Sequence, residues 1–325
     1  MTQAQIYIYG IDLGKNWFHL VAMDRMGHVL TKQKLTRLQL KQFISTTPPC
    51  RVAFEACPGS QYWGRLFQQA GFEPKIIPAQ FVKPYLKSNK NDFNDATAIA
   101  EAGSRGTMRC VPLKSHEQLA LQATHRVRQR FIVERTATVN QMRALLLEYG
   151  LTVPVGRKVF ERSLPTILED AENGLPDFIR ALVLRLRERW QQLDIQIDDM
   201  SLMLGQASST SSLCQKISTV PGIGPIVSTA LIAAIGNGSQ FKKARDLSAW
   251  LGLVPRQYST GGKSSLGGIS KRGKSSLDEW VSRLEVGHHH HVVLIALANK
   301  IMRICWKVLT SGRDYQPYPN TSSAV

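Results

Sequence analysis

Four carboxylates stand out by type and setting: Asp12 in IYIYGIDLG, Glu55 in RVAFEACPGS, and Asp92 with Asp95 in NDFNDATAIA. Asp12 and Glu55 close short apolar, β-branched runs, while Asp92 and Asp95 stand three apart at a helix start, on one face. Carboxylates from neighbouring strand ends and a facing helix can converge on one point. Unpaired, such a cluster repels itself; around Mg2+ it becomes a site that polarises phosphodiesters. Simpler roles exist for single members, since Asn91 or Asp92 could be an N-cap and Glu55 a surface acid. Asp12 is harder to place otherwise, because a buried strand end is an expensive position for an unpaired charge. The order strand-Asp, strand-Glu, helix-DxxD within one α/β unit favours a metal site.

Those positions need elements to hold them. IYIYGIDLGKNWFHLVAMDRMGHVL reads as a strand hairpin followed by a turn at Asp24–Gly27. RVAFE is a further strand, broken by Pro58–Gly59 before a helix from about Tyr62 to Ala70. PKIIPAQFVKPYLKSNKND is expected as a strand running into a basic loop with Lys83, Lys87 and Lys90, and a helix starts near Asn91.

The chain holds 325 residues, 43% of them hydrophobic, with a formal charge of +17. That size allows two domains and a helical connector, and that charge points to a polyanionic partner. Residues 1–110 hold 14 Lys and Arg against 7 Asp and Glu, residues 111–205 hold 13 against 12, and residues 206–325 hold 14 against 5. The two ends therefore look like nucleic-acid surfaces and the middle like a protein-packing segment. Five scattered cysteines without CxxC spacing argue against a disulfide framework or zinc site and fit a reducing cytosol. No signal peptide or membrane span is read, so a soluble, cytoplasmic protein is expected.

Residues 115–149 and about 176–205 read as long helices. In the second, Ile179, Leu182, Leu186, Trp190, Leu193, Ile197 and Met200 step by three or four, a seam that suits either a helical hairpin on the chain's own core or a dimerising coiled coil. The stretch between them, TVPVGRKVFERSLPTILEDAENGLP, is expected as an irregular connector. ISTVPGIGPIVSTALIAAIG reads as a helix-hairpin-helix, in which Gly222 and Gly224 would let helix-terminal amides meet a phosphate. The following basic loop places Arg256, Lys263, Lys271, Arg272 and Lys274 among glycines and serines, with no acid from 255 to 277. Such a loop can wrap a backbone and leave a hydroxyl exposed. The run His288–His291 is expected as a solvated loop.

YGIDLGK, FEACPGS and KNDFNDA closely resemble the amino-terminal DEDD domain of a family of bacterial insertion-sequence transposases, and the resemblance extends over nearly the whole chain. It implies an RNase-H-like (RuvC-like) α/β domain over 1–110, a helical coiled-coil arm over 111–207, and a small mainly α domain with a helix-hairpin-helix over 208–325. It further implies that Asp12, Glu55, Asp92 and Asp95 hold Mg2+, that DNA and a structured guide RNA are partners, and that the chain assembles as a dimer or tetramer. Arg126, Arg128 and Arg130 are compatible with RNA but do not demand it. In the family the second domain carries a nucleophilic serine in a Ser-Gly context after Pro-Arg. On PRQYSTGGK that pattern places Thr260 at the nucleophile position, with Ser259 one residue before it. After SKRGKSS the family usually has a further helical stretch, whereas here SSLDEWVSRLEVGHHHH arrives early.

The expected function is cutting and rejoining of DNA through a covalent ester on Thr260 or Ser259, at a site composed from different thirds of the chain. Two alternatives remain open. One is a metal-dependent nuclease that cuts by water attack and needs no side-chain hydroxyl. The other is a catalytically impaired, nucleic-acid-binding remnant, suggested by the threonine and the shortened C-terminal segment.

Overall fold

Alternating and continuous apolar runs in the first third build two strands, β1 (Ile8–Leu13) and β2 (Trp17–Met23), paired antiparallel around a turn at Gly14. Asp24 shapes the next turn by accepting from the Met26 and His28 amides, and β3 (Val29–Thr36) returns along β2. The computed structural model describes residues 5–87, 91–253, 257–260, 263–266 and 289–317, and it divides between Ser115 and His116 into two compact units.

In the first unit, β4 (Arg51–Glu55) and β5 (Glu73–Ile77) extend the sheet in parallel on the other side of β1. The order is β3-β2-β1-β4-β5, consistent with the RNase-H-like expectation. One face is covered by α1 (Arg37–Thr46), started by a Thr36–Gln39 capping box, and by α2 (Ser60–Gln69). Leu40, Ile44, Trp63 and Phe67 from these helices bury Tyr9, Ile11, Phe18, Leu20 and Phe54. The other face packs Ile8, Met23, Ala53 and Ile77 against α4 (Asp92–Ser104) and the single turn α3 (Ala79–Val82). The expected strand through PKIIPAQFVKP is thus cut short: Pro78 ends β5 and serves as N-cap of α3, which runs into a tight 3-10 turn at Lys83–Tyr85. At one sheet edge the backbone of Val111 bridges Ile76 on β5; at the other, β3 exposes Lys32 and Lys34.

The second unit is helical around two long antiparallel helices, α5 (His116–Leu147) and α7 (Asp177–Thr210). Arg128 meets Ser201 while Arg135 meets Asp194, so one helix descends as the other rises. The α7 seam of Trp190, Leu193 and Ile197 is buried as its spacing predicts, with Val183 buried in place of Leu182. The stretch expected as an irregular connector holds α6 (Arg157–Glu169), where Phe160 stacks on Trp190 and Arg143 lies over the Phe160 ring. The Arg180 guanidinium takes the Ile167, Leu168, Leu175 and Asp170 carbonyls, and so closes the α6–α7 link.

Beyond α7 come α8 (Ser212–Ser218), α9 (Pro225–Ile235) and α10 (Ala244–Trp250), and then the strand pair β6 (Gln257–Thr260) and β7 (Lys263–Leu266). The last element, α11 (His290–Ser311), starts with His289 as its N-cap, so the described part of the histidine run opens a helix instead of forming a loop. Cys214, Ile217, Leu231, Ile235, Leu247, Cys305 and Val308 share one core.

His125 on α5 contacts the Thr229 hydroxyl of α9 at 3.0 Å, and burial, aided by Arg128, holds its pKa below the ordinary 6.5. A depressed imidazole costs nothing above pH 6.5. Below it the unfolded chain takes the proton first, so stability falls with acidification until the folded pKa is passed. His125→Gln should therefore lose less stability than wild type between pH 8 and pH 5 in denaturant titrations. An equal loss in both would refute this.

Candidate metal and catalytic site

Strand alternation decides which way the acids face. On β1, Ile8 and Gly10 lie against α4, so Asp12, two further along, shares that face; on β4, Ala53 and Glu55 do the same. The β1–β4 register ends at the pair Ile11–Phe54, and Asp12 and Glu55 are the next residue on each strand, at the same end of the sheet. The first turn of α4 brings Asp92 and Asp95 to that end.

That helix start is well specified. Asn91 caps it by accepting from the Phe93 amide at 2.9 Å, as its residue type predicted. The positive end of the helix dipole favours carboxylates in the first turn and offsets part of their mutual repulsion. The depth of α4 is set by small residues. A Cβ on Gly10 would lie 2.2 Å from the Ala96 carbonyl oxygen and 2.6 Å from the Ala100 amide nitrogen, and one on Gly103 would lie 2.5 Å from the Ala53 Cβ. Lys75 on β5 donates to the Gly103 carbonyl at 2.7 Å and pins the other end of the helix.

The electrostatics match this convergence. Burial raises the pKa of Asp12, and Asp95, Asp92 and Glu55 raise it further, with His19 opposing. The other three sequence-predicted acids therefore all bear on Asp12. The neighbouring Cys57 thiol is also pushed up by burial, then by Glu55 and Asp12, which suppresses a thiolate nucleophile beside the cluster.

Sequence reasoning missed His19. It lies directly opposite Asp12 in the β1–β2 register, and its Nε2 is 3.5 Å from Asp92 Oδ2. Asp12, His19 and Asp92 offer ligand atoms all within 4.8 Å of one another. Octahedral ligands at about 2.1 Å from an ion stand about 3 Å apart when adjacent and about 4 Å apart when opposite, so this donor set fits a divalent cation after small side-chain adjustment. The signal was the hairpin register, which pairs GIDL with FHLV and can be counted once the turn is placed.

The second-domain candidates are only partly described. Gly222 and Gly224 form the turn between α8 and α9; Gly222 has φ +84°, which requires glycine, while Gly224 is extended and serves as N-cap of α9. Ser259 and Thr260 belong to β6 and Lys263 to β7, with Ser259 paired to Ser264 and Thr260 to Lys263. The loop expected there is thus, over 257–260 and 263–266, an antiparallel strand pair, for which Gly261–Gly262 was a legible hairpin signal. Arg256, Lys271, Arg272 and Lys274, like Lys90 in the first unit, lie outside the described residues. No helix among the described residues is long and apolar enough to cross a membrane.

Comparison with known proteins agrees with the geometry. Residues 9–151 match a family model described as a transposase, the DEDD type of IS110 elements, and residues 214–280 match one described as the transposase IS116/IS110/IS902 family. The chain is similar to the transposase for insertion sequence element IS1328 of Yersinia enterocolitica, at 42% identity over 94% of this chain and 98% of that one. It is also similar to the transposase for insertion sequence element IS1111A of Coxiella burnetii, at 37% identity over 97% of this chain and 93% of the relative. The pilin gene-inverting protein of Moraxella bovis is 30% identical over 94% of this chain and 96% of its own length. An α/β unit with clustered acids at a strand-end and helix-start junction, in this company, defines a DNA-recombining enzyme that uses a divalent metal. The chain belongs to the IS116/IS110/IS902 family of insertion-sequence transposases.

Proposed function

We propose that this transposase cuts and rejoins DNA by attack of a side-chain hydroxyl, Thr260 or Ser259, on a phosphodiester, with Asp12, Glu55, Asp92 and Asp95 holding Mg2+. The observation that supports it most is the meeting of Asp12 and Glu55, on one sheet face, with Asp92 and Asp95 in the first turn of α4. When bound, the ion draws charge from the phosphate and assists loss of the hydroxyl proton. The hydroxyl oxygen bonds to phosphorus, the bond from phosphorus to one deoxyribose oxygen breaks, and that oxygen leaves as a DNA hydroxyl. The resulting ester keeps the bond energy, so a second DNA hydroxyl can reverse the step and free the side chain. Thr260 fits the family position, but its methyl restricts approach, which keeps Ser259 in contention.

The remaining roles follow the same reading. The turn at Gly222 and Gly224 would act as a helix-hairpin-helix that contacts phosphates, joined by Arg256, Lys263, Lys271, Arg272 and Lys274. The division into a DEDD domain at 1–110, an arm at 111–207 and a transposase domain at 208–325 would serve a dimer or tetramer, working in the cytoplasm with a structured guide RNA. Exposed apolar residues on α7, among them Phe178, Ile195, Leu202 and Met203, support assembly through the arm.

The test is a detergent-resistant protein–DNA adduct. The chain is co-expressed with the RNA flanking its element, mixed with Mg2+ and DNA carrying the element junction, and mapped by mass spectrometry. An adduct on Thr260 or Ser259 that vanishes in Asp12→Ala is expected. Cleavage without an adduct would mean water attack and a nuclease. Binding with neither, while an intact relative reacts in parallel, would mean an impaired remnant.

A further inference from the structure

Among the described residues His19 is the one buried side chain of the Asp, Glu, Lys, Arg and His types; the other buried polar residues are serines and threonines. It is 7% exposed, with its ring held edge-on to Phe93 at 4.9 Å between centroids. Its position is fixed from two sides. Strand register places it across from Asp12, and α4 brings Asp92 Oδ2 to 3.5 Å from Nε2. An imidazole buried among apolar neighbours needs a partner for its nitrogens, and Nε2 is aimed at the carboxylates.

We infer that His19 is a direct ligand of the divalent ion through Nε2, so that the centre is a mixed nitrogen–oxygen site built from Asp12, His19 and Asp92 with Glu55 and Asp95 beside it. This rests on the reading that the acids hold a metal, and adds a nitrogen to that set. Three geometric facts point the same way. The donor atoms come from three separate elements, β1, β2 and α4, so none is near another merely by chain adjacency. The 3.5 Å from Nε2 to Oδ2 lies between the adjacent and opposite ligand separations of about 3 Å and about 4 Å expected around one ion. The ring is clamped by Phe93, the residue after Asp92, so its orientation moves with the helix start that supplies the acids. Exchanging an oxygen donor for imidazole nitrogen favours transition ions over Mg2+. The site should consequently take Mn2+ or Co2+ more tightly than an all-carboxylate site would.

Pulsed electron paramagnetic resonance of the full chain with Mn2+ tests this without relying on catalysis. Wild type should show 14N coupling from a coordinated imidazole, moved when histidine is 15N-labelled and lost with the bound ion in Asp12→Asn. His19→Asn should keep Asp12-dependent Mn2+ binding but lose the coupling, with Mn2+ affinity weaker by at least roughly tenfold and Mg2+ affinity changed less. Asp12-dependent Mn2+ without 14N coupling would overturn the assignment and reduce His19 to a residue that merely orients Asp92. Coupling that survives His19→Asn would overturn it too. If no Asp12-dependent Mn2+ binding occurs at all, the metal reading itself fails along with it. Should His19→Asn not fold, the isotope shift in wild type together with its loss in Asp12→Asn still decides the question.

Discussion

Asp12→Asn is expected to cut strand cleavage by orders of magnitude and, in metal-free buffer at pH 7, to raise the thermal midpoint of the protein. The two effects have one cause. Burial first, then Asp95, Asp92 and Glu55, raise the Asp12 pKa above its ordinary 3.8 in the folded state. For a carboxylate shifted upward, the charged form is penalised by folding. The penalty is fully present above the folded pKa and is relieved only as pH falls through the folded value towards the unfolded one. At pH 7 the native chain therefore bears this penalty, and asparagine, which has no charge to bury among acids, removes it. Function should be lost in the same step, since on the proposed reading this carboxylate holds the ion; a loss of on the order of 10^3-fold or more in cleavage rate is expected from the several kcal/mol such an ion supplies. Differential scanning fluorimetry with and without Mg2+ gives the check. Mg2+ should raise the wild-type midpoint and leave that of Asp12→Asn nearly unmoved. A midpoint that drops in the variant, or responds equally to Mg2+, would sink the account.

Gly10→Ala is expected to disable the enzyme without touching a chemical group. The new methyl would sit 2.2 Å from the Ala96 carbonyl oxygen and 2.6 Å from the Ala100 amide nitrogen, both backbone atoms of α4 that cannot swing aside as a side chain does. The helix must lift from β1 or the strand must bend. Overpacking of this kind costs about 1–3 kcal/mol, and the lift separates Asp92 and Asp95 from Asp12. A misplacement of about 1 Å at a reacting centre can cost around 10^2-fold in rate. Gly106→Ala is the matched control, since a Cβ there meets nothing within 4 Å. Mg2+ affinity by calorimetry and cleavage rate should both fall in the first variant and hold in the second. Equal behaviour of the two would mean that the close approach of α4 does not set the site.

The candidate site was legible where chemistry and local pattern coincide. Asp12 and Glu55 stand at the ends of apolar runs, and Asn91 announces the helix that supplies Asp92 and Asp95. His19 was not legible as a member because its place depends on pairing across a hairpin, and a one-residue change of register would turn it to the other face. Among the elements, β3 beyond Leu30 lacks a clear apolar alternation; its polar residues are kept extended by β2, whose own run is fully buried after Trp17. The α6 segment was obscured by Pro154, Gly156 and Pro165, residues that usually punctuate chain. Its helix persists through Pro165 because Phe160 and Leu164 are wholly buried in the core that also holds Trp190 and Val183, and tertiary packing outweighs the lost backbone hydrogen bond. β6 and β7 were passed over because their hairpin signal, Gly261–Gly262, stands inside a basic, glycine-rich stretch that reads as loop.

The exposed edge of the sheet has a consequence for handling the protein. A bare strand edge invites a second sheet to dock, and β3 discourages this with Lys32 and Lys34, whose charges repel an identical edge on another molecule. The part of this protection that the lysines give is electrostatic. Salt shortens its range, and a polyanion lying across those lysines cancels it, turning mutual repulsion into bridging between copies. Colloidal stability in this chain is thus tied to the ratio of protein to nucleic acid: ample or absent polyanion keeps molecules apart, and an intermediate amount draws them together.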